Sequence, residues 1–236
     1  MSFLKAEWRK LAIANYVVEP KVLEKYLPYK TELDIWEDKC YMSLIGFMFC
    51  NTKIVGLKIP FHVNFEEVNL RFYVRYKQGS EWRRGVVFVK ELVPRHAITL
   101  IANTLYHEHY QTVKMSHEWM NEKDQLKVKY QFDLGGKSHS IAMTAKNELI
   151  EIPANSETEF ITEHYWGYTE INEAKTTGYE VTHPRWQTYE VLDCQIDLDF
   201  VKVYGEDFAF LNNQRPYSVM LAEGSEITVE GKEMII

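Results

Sequence analysis

Cysteine, proline and glycine are scarce in this chain, at 3, 7 and 11 of 236 residues. Three cysteines (Cys40, Cys50 and Cys194) cannot pair off completely, and none forms a C-x-x-C. That excludes a disulfide framework and fits reduced thiols, so the expected compartment is the cytoplasm. Cys40 and Cys50 bracket the strand-like "YMSLIGFMF" and read as small buried hydrophobes. The few glycines build no phosphate cradle. G-x-G-x-x-G after a strand, G-x-x-x-x-G-K-[ST] and G-x-S-x-G are all missing. No apolar run reaches membrane-spanning length, and "MSFLKAEWRK" mixes charge into the start, so neither a membrane segment nor a signal peptide is expected. Positive charge is in deficit, with 27 Lys and Arg against 34 Asp and Glu. Without a basic stripe, nucleic acid and anionic membranes are not expected partners.

Aromatic and branched residues are plentiful. Hydrophobic residues make up 46% of the chain and aromatics 14%, which is ample for a packed core. Strand patterns dominate: residues 11–18, 40–49, 65–74, 85–93, 112–120, 125–134 and 139–146, then "WGYTEIN", "GYEVTH", "QTYEVLDCQIDL", "YSVMLAEG" and "EITVEG". "NEKD" and "GGKS" read as hairpin turns. Helices are few. Residues 19–28 and 94–107 carry three-four apolar spacing behind Pro20 and Pro94, and in the second the stripe is Ala97, Ile98, Ile101, Ala102 and Leu105. Residues 156–165 open with a Ser156…Glu159 capping box, and 199–205 form a short fourth helix. So many short strands must hide their edges. The expected fold is α+β: a closed or nearly closed, mostly antiparallel β-barrel with a few short helices, residues 1–236 forming one domain.

"FEEVNLRFYV" (65–74) poses the functional question. Period two places Glu67, Asn69, Arg71 and Tyr73 on one face and Val68, Leu70, Phe72 and Val74 on the other. The polar face either meets solvent or lines a lumen. Asn is depleted in strands, and Glu67, Asn69 and Arg71 are spaced to bond one another, which favours the lumen. Lys90 and Glu91 are consecutive in a strand, so they point to opposite faces, and the inward one needs a partner such as Arg71 or Glu67. The densest polar–aromatic cluster is "YHEHYQ" (106–111), with Tyr106, His107, Glu108, His109 and Tyr110. Three readings stand for it: a metal site, acid–base chemistry by a histidine or Glu108, or histidines favouring the negative end of a helix. No H-E-x-x-H spacing supports the metal, and none is expected.

Several blocks together resemble a known family. They are "LDIWEDKCYMSLIGFMF", "IPFHVNFEEVNLRFYVR", "WRRGVVFVKELVPR", "LYHEHY", "FITEHYWGY", "HPRWQTYEV" and "AEGSEITV". They are similar to the YqjF-like proteins, conserved bacterial proteins of unknown function, which are in turn distantly similar to the acetoacetate decarboxylase-like superfamily. That resemblance implies a cone-shaped β-barrel with an internal cavity, to which Glu67 would contribute a carboxylate. It also implies a Schiff-base lysine beside a second lysine. Here the comparable place reads "EHYQTVK", and no Lys-Lys pair exists. Lys90 or Lys114 would need activation by desolvation instead.

Two functional readings follow. In the first, a polar barrel cavity binds a small anionic or carbonyl ligand, with or without turnover and without a cofactor. Its expected ligand-binding residues are Glu67, Asn69, Arg71, Lys90, Glu91, Arg95, Tyr106, His107 and Tyr110. In the second, the barrel is a non-catalytic interaction module whose charges pair internally, and edges such as "EITVEGKEMII" serve partners or a homo-oligomer. The catalytic residues are not legible in either case.

Overall fold

The computed structural model describes residues 2–236. The strands run β1 (Leu4–Val17), β2 (Thr31–Leu33), β3 (Ile35–Trp36), β4 (Lys39–Ile54), β5 (Phe65–Gln78), β6 (Glu81–Val93), β7 (Tyr110–Thr112) and β8 (Lys114–Glu122). They continue as β9 (Gln125–Leu134), β10 (Lys137–Glu151), β11 (Trp166–Asn172), β12 (Lys175–Thr182), β13 (Gln187–Asp197), β14 (Ser218–Val229) and β15 (Glu233–Ile235). Four short helices interrupt them: α1 (Pro20–Leu23), α2 (His96–Ile101), α3 (Glu157–Thr162) and α4 (Phe200–Tyr204). The predominance of strands over short helices is as expected.

The strands pair in the order β15-β12-β11-β6-β5-β4-β1-β14-β13-β10-β9-β8. Pairing is antiparallel except where β6 meets β11 and β7. Val181 lies opposite Val229 and Thr182 opposite Thr228, which joins β12 to β14 across that order. The "EITVEG" segment is therefore no free edge: Val229 faces Leu4 on one side and Val181 on the other. Both expected hairpins form. Lys123 turns with φ 52°, and Gly135 and Gly136 turn with φ 61° and 75°.

Two apolar clusters flank the central strands. Val68, Leu70, Phe72 and Val74 of β5 pack with Val128, Tyr130 and Phe132 of β9, Ile141 and Met143 of β10, and Phe200 of α4. Strand β9 shows the pattern that permits this: Leu126, Val128, Tyr130 and Phe132 are buried, while Lys127, Lys129 and Gln131 between them are not. The second cluster gathers Ile45, Phe47, Phe65, Tyr73, Phe160 and Trp186 on the opposite face of β5. Strand β5 is thus buried on both faces, and its polar row turns away from bulk water.

The helices follow their signals with one departure. Ser156 Oγ accepts the Glu159 N–H at 3.2 Å as a cap, while Glu159 reaches back to Asn155 N–H rather than to Ser156. The stripe expected over 94–107 holds only in part. The α-helix ends at Ile101 and widens into a π-turn over Ala102–Tyr106. Ile98, Ile101 and Ala102 face inward, but Ala97 and Leu105 are exposed. A wider turn rotates later residues away from the 3.6-residue stripe.

Gly224 fixes where β1 and β14 cross. Its φ is +78°, and a Cβ there would sit 2.0 Å from the Trp8 carbonyl oxygen. Both a left-handed penalty and a backbone clash oppose any side chain. Gly224→Ala is expected to cost about 2–4 kcal/mol, read as a lower urea midpoint at unchanged slope.

Candidate functional site

A cavity of about 130 Å³ lies on the polar side of β5. One water needs roughly 15 Å³ by the same measure, so the space suits a molecule of several heavy atoms. Register explains which side chains reach it. Asn69 of β5 lies opposite Glu91 of β6, and Glu91 opposite Tyr110 of β7. Residues opposite one another share a face, so Glu67, Asn69, Arg71, Glu91 and Tyr110 line one wall. The same register turns Lys90 outward, because it sits opposite Leu70. Its ammonium bonds the Val203 carbonyl on the other side of the sheet.

Burial is severe: Glu67 and Asn69 are 2% exposed, Glu91 1% and Arg71 9%. Asn69 Nδ2 donates to Glu67 Oε1 at 2.9 Å, and the Tyr110 hydroxyl donates to Glu67 Oε2 at 3.1 Å. The expected mutual network stops there. Four residues of strand span about 13 Å, and Arg71 does not reach Glu67. Its Nη2 donates weakly to the Ile161 carbonyl at 3.4 Å, its plane lies over Tyr73, and its Nε has no partner. Tyr73 itself bonds Ser43 Oγ at 2.6 Å.

Glu91 does not pair with Arg71 either. One of its oxygens has no partner, and it lies beside Glu108 and Glu67. Loss of water outweighs every other influence on these three carboxyls. Burial raises Glu67 to about 7, against the opposing pull of Asn69, Tyr110 and Arg71. It raises Glu108 to about 7 against Thr169 and Tyr179. Burial first, then the two neighbouring carboxylates, lifts Glu91 well above the ordinary range.

The structure brings Tyr106 and Tyr110 to the cavity with this wall, and leaves Lys90, Arg95 and His107 away from it. Arg95 sits at the N-cap position of α2 without a side-chain cap bond, and its charge acts on Glu66 of β5. His107 is exposed in a left-handed conformation, φ 61°, that ends the π-turn. That turn decides the fate of "YHEHY": Tyr106, Glu108 and Tyr110 turn inward, and His107 and His109 outward.

Other lining residues carried no individual signal. Thr162 ends α3 and His164 follows it, Tyr179 comes from β12, and His183 stacks on Trp186 at 4.2 Å. His164 Nε2 lies 3.0 Å from Asp34 Oδ2, which also holds Arg84 Nε at 2.6 Å. Burial drops His164 to about 4, so it is neutral, and with Nε2–H given to Asp34 its unpartnered Nδ1 is a bare acceptor. Gly167 makes room for Tyr179: a Cβ there would lie 2.3 Å from Tyr179 Cζ. Gly167→Ala is expected to displace that ring and change cavity volume, visible as altered Tyr179 resonances in NMR.

Among the described residues, no lysine lines the cavity, and no three His, Cys, Asp or Glu side chains gather in metal-binding fashion. Lys114 is exposed on β8 near Asp133, at 3.8 Å. The cysteines are not activated, since burial lifts Cys40 and Cys194 to about 11. No helix among the described residues is long and apolar enough to cross a membrane.

The DUF2071 family, described as an uncharacterized conserved protein, matches residues 5–226. The chain belongs to this family. A 116-residue stretch is 28% identical to the uncharacterized protein YqjF of Bacillus subtilis (strain 168), covering 49% of this chain and 46% of that protein, so the match spans about half of its length. Among solved structures, acetoacetate decarboxylase from Legionella pneumophila superposes with a TM-score of 0.66 at 14% identity, over 99% of this chain and 87% of that one. The enduracididine biosynthesis enzyme MppR, complexed with pyruvate, gives 0.68 at 11%, over 99% and 91%. An acetoacetate decarboxylase-like enzyme from Sphingomonas wittichii RW1 gives 0.66 at 10%, over 100% and 94%. Identities this low speak for the fold alone. This DUF2071 chain has an acetoacetate decarboxylase-like fold. Among the described residues no lysine lines its cavity, so the Schiff-base lysine that the sequence resemblance implies has no counterpart there.

Proposed function

We propose that this DUF2071 protein binds a small organic acid or related carbonyl compound inside a single barrel domain, closed through β12 and β14. Arg71 holds the anionic group. The carrying observation is that the Arg71 guanidinium is buried at the cavity and, among the described residues, makes no ion pair. An unpaired buried cation costs several kcal/mol, and an incoming carboxylate offsets that cost through paired charge-assisted bonds. Glu67 supplies proton transfer. A carboxyl near 7 exchanges its proton at neutral pH, which suits acid–base work at a carbonyl or an adjacent carbon. That the structural neighbour MppR was solved with pyruvate supports a small keto acid as the first ligand to try.

Calorimetry with pyruvate, acetoacetate and propionate tests the reading. Wild type is expected to bind at least one of them, and Arg71→Ala to weaken that binding at least tenfold, given about 1.5–3 kcal/mol per hydrogen bond to a charged group. Equal affinity in the two proteins removes Arg71 as anchor. The Asn69–Glu67–Tyr110 bonds favour a second reading, a non-catalytic module, because they satisfy Glu67 without a ligand. Absence of heat with all three acids supports that module.

A further inference from the structure

The acid end of the cavity has a pattern of its own. Asn69 Oδ1, Glu91 Oε2 and Glu108 Oε1 are all buried, and none has a hydrogen-bond partner. All three side chains line the same cavity. They are acceptors. Of the other unpartnered buried atoms on residues lining the cavity, Arg71 Nε and Trp8 Nε1 are donors and His164 Nδ1 is an acceptor. Buried polar atoms without partners are uncommon, and the three acceptors contributed by Asn69, Glu91 and Glu108 describe the group that would satisfy them. Arg71 asks for a carboxylate, and the other end asks for a nitrogen carrying several N–H donors and a positive charge. The rings of Tyr106, Tyr110 and Tyr179 line that end, and faces of this kind attract cations.

We infer that the ligand is zwitterionic: a small amino acid whose carboxylate meets Arg71 and whose ammonium meets Asn69, Glu91 and Glu108. This rests on the anion-binding reading above and sharpens its ligand class. Geometry limits the span. Glu91 is opposite Asn69, and Asn69 is two residues from Arg71, about 7 Å along the strand. A carboxylate and an ammonium separated by one to three carbons fit that distance and a cavity of about 130 Å³. Charge agrees. Three carboxylates against one guanidinium leave an excess of acid that an ammonium neutralises. Without a ligand, protons retained on Glu67, Glu91 and Glu108 fill the same need. Binding of the ammonium therefore displaces protons from this cluster, and among the described residues Arg71, Tyr106, Tyr110, His164, Tyr179 and His183 are the other ionisable groups lining the cavity.

The test is calorimetry with alanine, β-alanine and 4-aminobutyrate against their des-amino partners propionate and butyrate, in two buffers of different ionisation enthalpy at pH 6.5. The amino acids are expected to bind at least tenfold tighter than the des-amino acids, with net proton release. In Glu91→Gln and Glu108→Gln, each checked for cooperative melting, that advantage is expected to collapse toward unity. Two variants are used so that one failing to fold leaves the other. Equal affinity for amino and des-amino acids, with dependence on Arg71, overturns the zwitterion and leaves the carboxylate site standing. Preference for amino acids that both glutamine variants retain also overturns it. Binding of neither class overturns the carboxylate site and the zwitterion together.

Discussion

Raising the pH from 6.5 to 9 is expected to destabilise this protein rather than leave it level. In the folded state Glu67 and Glu108 sit near 7 and burial holds Glu91 well above its ordinary range, whereas in the unfolded chain each carboxyl titrates near 4.5. Between these values the folded protein holds protons that the unfolded chain has released. Stability from these groups is present in full below 4.5 and is lost as pH climbs through 7 and beyond. A move from 4.5 to 7 corresponds to about 3 kcal/mol for one independent carboxyl. Other groups act in the opposite sense. His164, held near 4, and Asp34 and Glu66, held below their ordinary values by hydrogen bonds that outweigh burial, lose stability as pH falls. Lys90, lowered by burial, regains stability only under strongly alkaline conditions. These opposing effects leave the window above 6.5 to the glutamates. Most of the roughly 3 kcal/mol for one carboxyl is given up between pH 4.5 and 6.5. From pH 6.5 upward Glu67 and Glu108 each still lose about 1 kcal/mol, which together correspond to a fall of about 4–8 °C in melting temperature for a chain of this size. Glu91→Gln removes one of the three raised carboxyls and is expected to flatten the decline. A melting temperature that holds or rises between pH 6.5 and 9 would show that the three carboxyls are ionised in the folded state.

Arg71→Met is expected to raise stability while abolishing acid binding. Arg71 is 9% exposed, has one weak bond to the Ile161 carbonyl and leaves Nε without a partner. Methionine fills much of the same volume and strands no donor. Replacing a buried, poorly paired charge by an apolar side chain stabilises by about 1–4 kcal/mol in comparable settings. Urea titration at pH 6.5 is the measurement, with a higher midpoint in the variant. Removal of the cation takes away one of the influences that oppose the rise of Glu67, after the Asn69 and Tyr110 hydrogen bonds, so the alkaline decline should steepen in this variant. A variant less stable than wild type would mean that the guanidinium is compensated where it stands. Together with lost binding, greater stability would identify Arg71 as a residue retained for function at a cost to the fold.

How much was legible can be judged residue by residue. The β9–β10 hairpin, the Ser156 cap and the polar row of β5 rest on period two, local turn chemistry and side chains that bond their own backbone, all of which are local. The inward turn of Glu67, Asn69 and Arg71 followed from what residue types a solvated strand tolerates. Local information failed at 94–107, where a π-turn replaced the expected helical register and moved Leu105 outward. It failed again for Arg95 and His107, whose side chains do not line the cavity although Tyr106 and Glu108 on either side of His107 do. Lys90 and Glu91 were undecidable, since adjacent residues of a strand always part company and only pairing to Asn69 names the inward one.

The sequence by itself therefore determined the strand content, the two-faced pattern of β5 and the absence of paired lysines. Each depends on neighbours within a few residues. Tertiary structure alone decided that Glu108, Tyr179, His164 and His183 meet Glu67 and Arg71 around one void. Those residues come from separate strands and loops, and register between strands, not spacing along the chain, brings them together. It also decided that burial raises the three carboxyls and that Arg71 has no ion pair among the described residues, because both depend on a space that exists only once the sheet has folded.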